Sequence, residues 1–115
     1  MSITRGLDLV RDGKYIDGPG WKNWVFDAWV GEYLLEIQSL PLTHFKDYTC
    51  LIPRNVLFDM IDILEKKQFD VCPRAYHYFS DSDREQAYAE RYCKALQALM
   101  EKYQEGDLFY YYCID

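Results

Sequence analysis

"DLFYYYCI", residues 107–114, settles whether this chain is all-helical or carries a sheet. From Leu108 to Ile114 every residue is aromatic, sulfur-bearing or branched aliphatic. No polar residue alternates with them, which is the pattern of a strand covered on both faces at a central sheet position. Gly106 just before it suits the end of a preceding helix, and Cys113 reads as a small core residue. Neighbours in an extended chain point to opposite faces, so Tyr110 and Tyr112 share one face and Tyr111 takes the other. A buried phenol needs a partner for its hydroxyl. Three in a row therefore predict that at least one face of the strand is only partly covered.

A central strand needs a neighbour. "YTCLI" (48–52) is the expected partner, with Tyr48, Thr49 and Ile52 as strand formers. Pro53 suits the first turn of the next helix, where its missing N–H costs nothing. "RNVLFDMIDILEKKQF" (54–69) places Leu57, Met60, Ile61 and Leu64 on one helical face. Asp59, Asp62 and Lys66 lie away from that face, and Lys66 and Lys67 complement the helix dipole at its end. "SDSDREQAYAERYCKALQALMEKYQEG" (80–106) is a second amphipathic helix. Ser82 and Glu85 have the spacing of a capping box. Tyr88, Tyr92, Ala95, Leu96, Leu99 and Tyr103 form its predicted core stripe, and Glu90 precedes Lys94 by four residues.

The remaining segments are read from weaker patterns. "WKNWVFDAWVGEYLLEIQSL" (21–40) predicts a helix from about Gly20 to about Ser39, the alternative being a β-hairpin with "DYTCLI" (47–52). "SITRGLDLVRDG" (2–13) predicts a short helix capped by Ser2, with Ile3, Leu7 and Val10 on one face and Gly13 at its end. "DVCPRAYHYF" (70–79) reads as an extended connection around Pro73. The fold class that follows is α+β: a single helix-rich domain over residues 1–115, with three to four helices and a small β-sheet that includes the C-terminal strand.

Nineteen acidic against thirteen basic residues give a net charge of −6. That balance opposes a general nucleic-acid binder, which needs Lys and Arg in excess to neutralise phosphates. It suits a basic protein partner, because opposite net charge speeds encounter. No run reaches the length of a membrane span, and the first residues lack the apolar core of a secretory signal. The cysteines, Cys50, Cys72, Cys93 and Cys113, form no close pair. These features predict a cytoplasmic protein with reduced, mostly buried thiols.

Catalytic and metal chemistry has little to stand on. A Cys–His pair needs hydrogen-bond reach, and the nearest in sequence is Cys72 with His77. Cys72, His77 and Cys93 are the only loosely clustered metal ligands, without the usual zinc spacing. "SDSD" (80–83) is explained by helix capping rather than by cation binding. "DGPG" (17–20) lacks the lysine and the preceding strand of a phosphate loop. Asp59 with Asp62, and Glu32 with Glu36, are paired carboxylates of the kind found on solvated helix faces. No catalytic residue, metal site or cofactor is predicted.

Surface character carries the functional expectation. Trp21, Trp24 and Trp29 fall within nine residues, and one helical face cannot bury them all equally beside Phe26 and Val30. Aromatic area is therefore expected near Asp27, Glu32 and Glu36. The profile predicts a small acidic protein-binding inhibitor, of the toxin-immunity or phage anti-defence type by analogy of size and charge. It would block a basic functional site on a partner such as a nuclease. Asp27, Trp29, Glu32, Glu36, Asp59 and Asp62 are the expected partner-binding residues, the carboxylates pairing with Arg or Lys while aromatics fill a pocket. A homo-oligomeric accessory or structural protein, possibly a homodimer, is the alternative, and a Cys/His metalloprotein or enzyme the third.

Overall fold

The computed structural model of the protein describes residues 4–114. Its strands and helices follow the order β1 (Thr4–Arg11), β2 (Lys14–Asp17), β3 (Gly20–Trp21), α1 (Trp24–Gly31), a π-helix (Glu32–Ile37), β4 (Cys50–Ile52), α2 (Arg54–Glu65), a 3-10 turn (Phe69–Val71), α3 (Pro73–Tyr76), α4 (Asp83–Glu101) and β5 (Leu108–Ile114). The α+β class and the C-terminal strand stand as expected.

All strand pairs are antiparallel, in the order β2-β1-β5-β4, with β3 also pairing β1. β5 thus sits between β1 and β4, and the predicted pairing with 48–52 is present through Cys50↔Tyr111 and Ile52↔Phe109. Leu7, Leu9, Cys50, Ile52, Phe109 and Tyr111 are buried against the helices. Tyr110 and Tyr112 point the other way, as alternation requires. A loop covers part of that outer face by stacking Tyr48 on Tyr110, ring centroids 4.6 Å apart, with Phe45 beside them. Leu108 stays 44% exposed, so the outer face is only partly covered.

The expected N-terminal helix is a strand. Ser2 and Ile3 of that prediction lie outside the described residues; the rest, from Thr4 onward, forms a hairpin with β2. Asp12 and Gly13 both have positive φ (52° and 77°), and Arg11 pairs with Lys14 across them. Asp-Gly is a favoured sequence for such two-residue turns. Leu7 and Leu9 alternate with Asp8, the two-residue period that outweighs the weak helical spacing around Gly6. The chain then bends through Gly18-Pro19, and Pro19 O accepts from Leu7 N at 3.0 Å.

The predicted helix over 20–39 begins later and changes pitch. Gly20 and Trp21 belong to the sheet, and Asn23 caps α1 by accepting from Phe26 N at 2.9 Å. Beyond Gly31 the helix widens: Gln38 N donates to Tyr33 O, five residues back. The wide turn buries three consecutive residues, Glu32, Tyr33 and Leu34. β4 pairs with β5, so the hairpin alternative does not form.

Residues 70–79 are not extended. Phe69, Cys72, Ala75 and Phe79 are buried at helical spacing, and Pro73 opens α3 at its first position. On α4 the buried line is Ala89, Cys93, Leu96 and Leu99. Tyr88, Tyr92, Ala95 and Tyr103 flank it half-buried, with Tyr92 against Phe26 at 4.8 Å. Ser82 caps α4 through Glu85 N at 3.2 Å. The reciprocal half of the capping box is replaced, since Glu85 accepts from Asn23 Nδ2 at 2.9 Å. That bond ties the N-terminal cap of α1 to that of α4. α4 stops at Glu101, and Gly106 takes its positive φ of 93° in the turn into β5 instead.

Candidate functional site

Asp27, Glu32 and Glu36 come from one side of α1 and the π-helix. Opposite them, α3 and the turn after it supply Arg74, Ala75, His77 and Tyr78. Between the two lies a cleft of about 680 Å³. The helical spacing 27, 31, 35 and 28, 32, 36 puts the first wall together. The buried residues 69, 72, 75 and 79 anchor the second wall against the core, which leaves 74, 77 and 78 on the open side.

The three carboxylates do different jobs. Asp27, 8% exposed, accepts from Trp21 Nε1 at 3.0 Å and from the Tyr111 hydroxyl at 2.9 Å. Arg5 Nε lies 3.4 Å from its other oxygen. A buried charge of this kind persists only with such partners. Burial, followed by the Asp27 charge, raises the Tyr111 phenol far above the ordinary tyrosine range. Glu32, 7% exposed, accepts from Arg74 N at 3.2 Å and Ala75 N at 2.8 Å, so it satisfies the first free N–H groups of α3. Glu36 reaches solvent and pairs with the exposed Arg74 guanidinium at 2.6 Å.

Behind the cleft, Cys72 donates to Trp29 O at 3.5 Å. Burial, with help from Glu32 and Glu36, pushes its thiol up to about 12, which leaves it a poor nucleophile at neutral pH. Cys93 donates to a different carbonyl, Ile61 O. Among the described residues no three His, Cys, Asp or Glu side chains gather as a metal site. His77 packs on Tyr78 with ring centroids 3.9 Å apart, and Tyr78 meets Trp24 edge-on at 4.9 Å. No helix among the described residues is long and apolar enough to cross a membrane.

The predicted partner-binding set divides. Asp27, Glu32 and Glu36 share the cleft. Asp59 and Asp62 lie on the exposed face of α2, where Asp62 pairs with Lys66 at 2.9 Å. Asp59 is close enough to Tyr33 to contribute to its raised phenol pKa, after burial. Trp29 is corrected: it is 0% exposed, donates to Phe69 O at 3.0 Å and stacks on Tyr33, so a core position removes it from any partner-facing set. The exposed tryptophan is Trp24, at 55%. Arg74 and Tyr78 escaped notice, and His77 was weighed only as a base or metal ligand, because 70–79 read as extended; the spacing of its buried residues was the missed signal. No protein-family model, curated protein or solved structure matches this chain.

Proposed function

We propose that the protein is a binding module that receives a cationic side chain of a basic protein partner in this cleft, and inhibits that partner by occupying its basic site. The observation that carries the reading is the convergence of Asp27, Glu32 and Glu36 on one cleft with an aromatic rim. Asp27 and Glu32 are already satisfied, so they act as a negative background. Glu36 is the carboxylate that a ligand reaches. Its exposed pair with Arg74 is worth about 1 kcal/mol or less, so an incoming guanidinium exchanges with Arg74 at little cost. Trp24 and Tyr78 then offer ring faces to the arriving chain. The net charge of −6 supports attraction to a basic surface such as that of a nucleic-acid-processing protein, consistent with an immunity or anti-defence role.

A fluorescent nona-arginine peptide tests the site by anisotropy. Saturable binding at low salt is expected, weakened in Glu36→Gln and strengthened in Arg74→Ala, where the internal competitor is gone. Absence of saturable binding at low salt overturns the reading.

Self-association is the second reading, favoured by Leu51 and Leu108, which are both exposed and near each other on the outer sheet face. Sedimentation at micromolar concentration decides it, and a strict monomer removes it.

A further inference from the structure

Of the aspartates in or against the sheet, Asp17, Asp27, Asp107 and Asp8, the first three have a cation, Asp17 pairing with Lys102. Asp27 has Arg5, and Asp107 takes both Nε and Nη2 of Arg11 at 2.8 Å. Asp8 differs. It stands in the middle of β1 on the outer face, half-buried, opposite Tyr110. Tyr48 donates to its Oδ2 at 2.8 Å, and no cation lies within 4 Å of it among the described residues. Burial raises its pKa, the mark of a carboxylate short of compensation.

The surroundings are aromatic and shaped. The rings of Tyr48 and Tyr112 are tilted by 57° with centroids 6.3 Å apart. A cavity of about 270 Å³ opens beside them, lined by Asp8, Lys46, Asp47, Tyr48, Tyr112 and Ile114. Two glycines fix this geometry. A Cβ on Gly6 would come within 2.5 Å of the Tyr112 hydroxyl, so glycine there lets the phenol rest on β1. A Cβ on Gly18 would come within 2.8 Å of Asp8 Oδ1 and 2.0 Å of Leu7 O, so the bend after β2 closes tightly beside the carboxylate. The cation lining the cavity, Lys46, is engaged by other groups: its Nζ donates to Gly13 O at 3.0 Å and lies over the Phe45 ring.

We propose that Asp8, Tyr48 and Tyr112 form a second binding site, separate from the cleft, for an alkylammonium group. Such a cation is weakly hydrated, offers methyl surface to the ring faces, and supplies the charge that Asp8 lacks. A small metal ion needs about six or more oxygen ligands, more than Asp8, Asp47 and two phenol rings supply in place of its hydration shell. The group is either free, as in choline, or carried on a methylated lysine, and the two present the same head to the site.

The test is a nuclear magnetic resonance titration with choline chloride and, separately, with Nα-acetyl-Nε-trimethyllysine amide, each against sodium chloride at equal ionic strength. Saturable shifts at Gly18, Tyr48 and Tyr112 are expected. Preference for choline assigns a free ligand, and preference for the lysine derivative assigns a side chain. Asp8→Asn is expected to weaken binding about tenfold, and Lys46→Gln to tighten it by removing a competing charge. If Asp8→Asn does not fold, Tyr112→Leu is read instead, since it keeps the carboxylate and removes one ring. Shifts no larger than those with sodium chloride overturn the proposal. So does unchanged affinity in Asp8→Asn or Tyr112→Leu, or loss of choline binding in Glu36→Gln.

Discussion

Asp27 shows at single-residue scale how the core and the cleft depend on each other. Its carboxylate faces the cleft, yet its donors come from Trp21 on β3 and Tyr111 on β5. Tyr111→Phe leaves Asp27 with Trp21, Arg5 and the nearby Cys113 thiol. A loss of about 1–3 kcal/mol in urea unfolding is expected, because a buried charge forfeits a hydrogen bond; no loss would show that water replaces the phenol. Asp107 makes a pH prediction. The Arg11 side chain, first through its hydrogen bonds, holds the Asp107 pKa below its ordinary 3.8. A depressed folded value means that the stabilisation is complete above the unfolded pKa and is lost as pH falls through the folded one. Arg11→Ala should therefore be less stable than the parent near neutrality, and the gap should close as pH drops below 3.8. A gap that persists at the lowest pH at which both still fold would mean that Arg11 acts through packing instead.

At the scale of elements, strong local signals were legible and marginal ones were overridden by tertiary context. α2, α4 and β5 were readable because cap, apolar face and length all agreed. β1 was not, because Ile3, Leu7 and Val10 have helical spacing by coincidence; the Asp12-Gly13 turn was the better guide. The π-helix has no sequence signature in the propensities of its residues, so the depth of Glu32 could not be foreseen. The cleft was half legible. Its acidic wall followed from counting along one helix, whereas its second wall depended on recognising short turns at Cys72 and Pro73. The joined caps of α1 and α4 give a prediction at this scale. Asn23→Ala removes the α1 cap and the donor to Glu85 together, for an expected loss of roughly 1–3 kcal/mol. Thermal melting checks it, with Glu85→Gln as the control that keeps a side-chain acceptor. Equal destabilisation by the two variants would place the cost in the Glu85 charge rather than in the cap.

For the whole molecule the governing fact is that one sheet face builds the core while the other carries Asp8 and its tyrosines. The two proposed sites are therefore on opposite layers: the cleft among the helices, the alkylammonium site outside the sheet. Raising salt should weaken the basic-peptide interaction much more than choline binding, since the first depends on exposed charges and the second on a half-buried one. β5 comes after every other element in chain order, yet it lies between β1 and β4. Until residues 108–114 have been made, β1 lacks its central neighbour, β4 has only the single bridge between Leu42 and Cys50, and Asp27 lacks the Tyr111 hydroxyl. Pairing between residues about a hundred positions apart is a slow step for a chain of this size. The nascent polypeptide should thus expose open strand edges until residues 108–114 have emerged, and fold only then. A chain stopped at Gly106 should bind hydrophobic dye and show no cooperative unfolding transition, whereas cooperative melting would mean that the helices fold without the sheet.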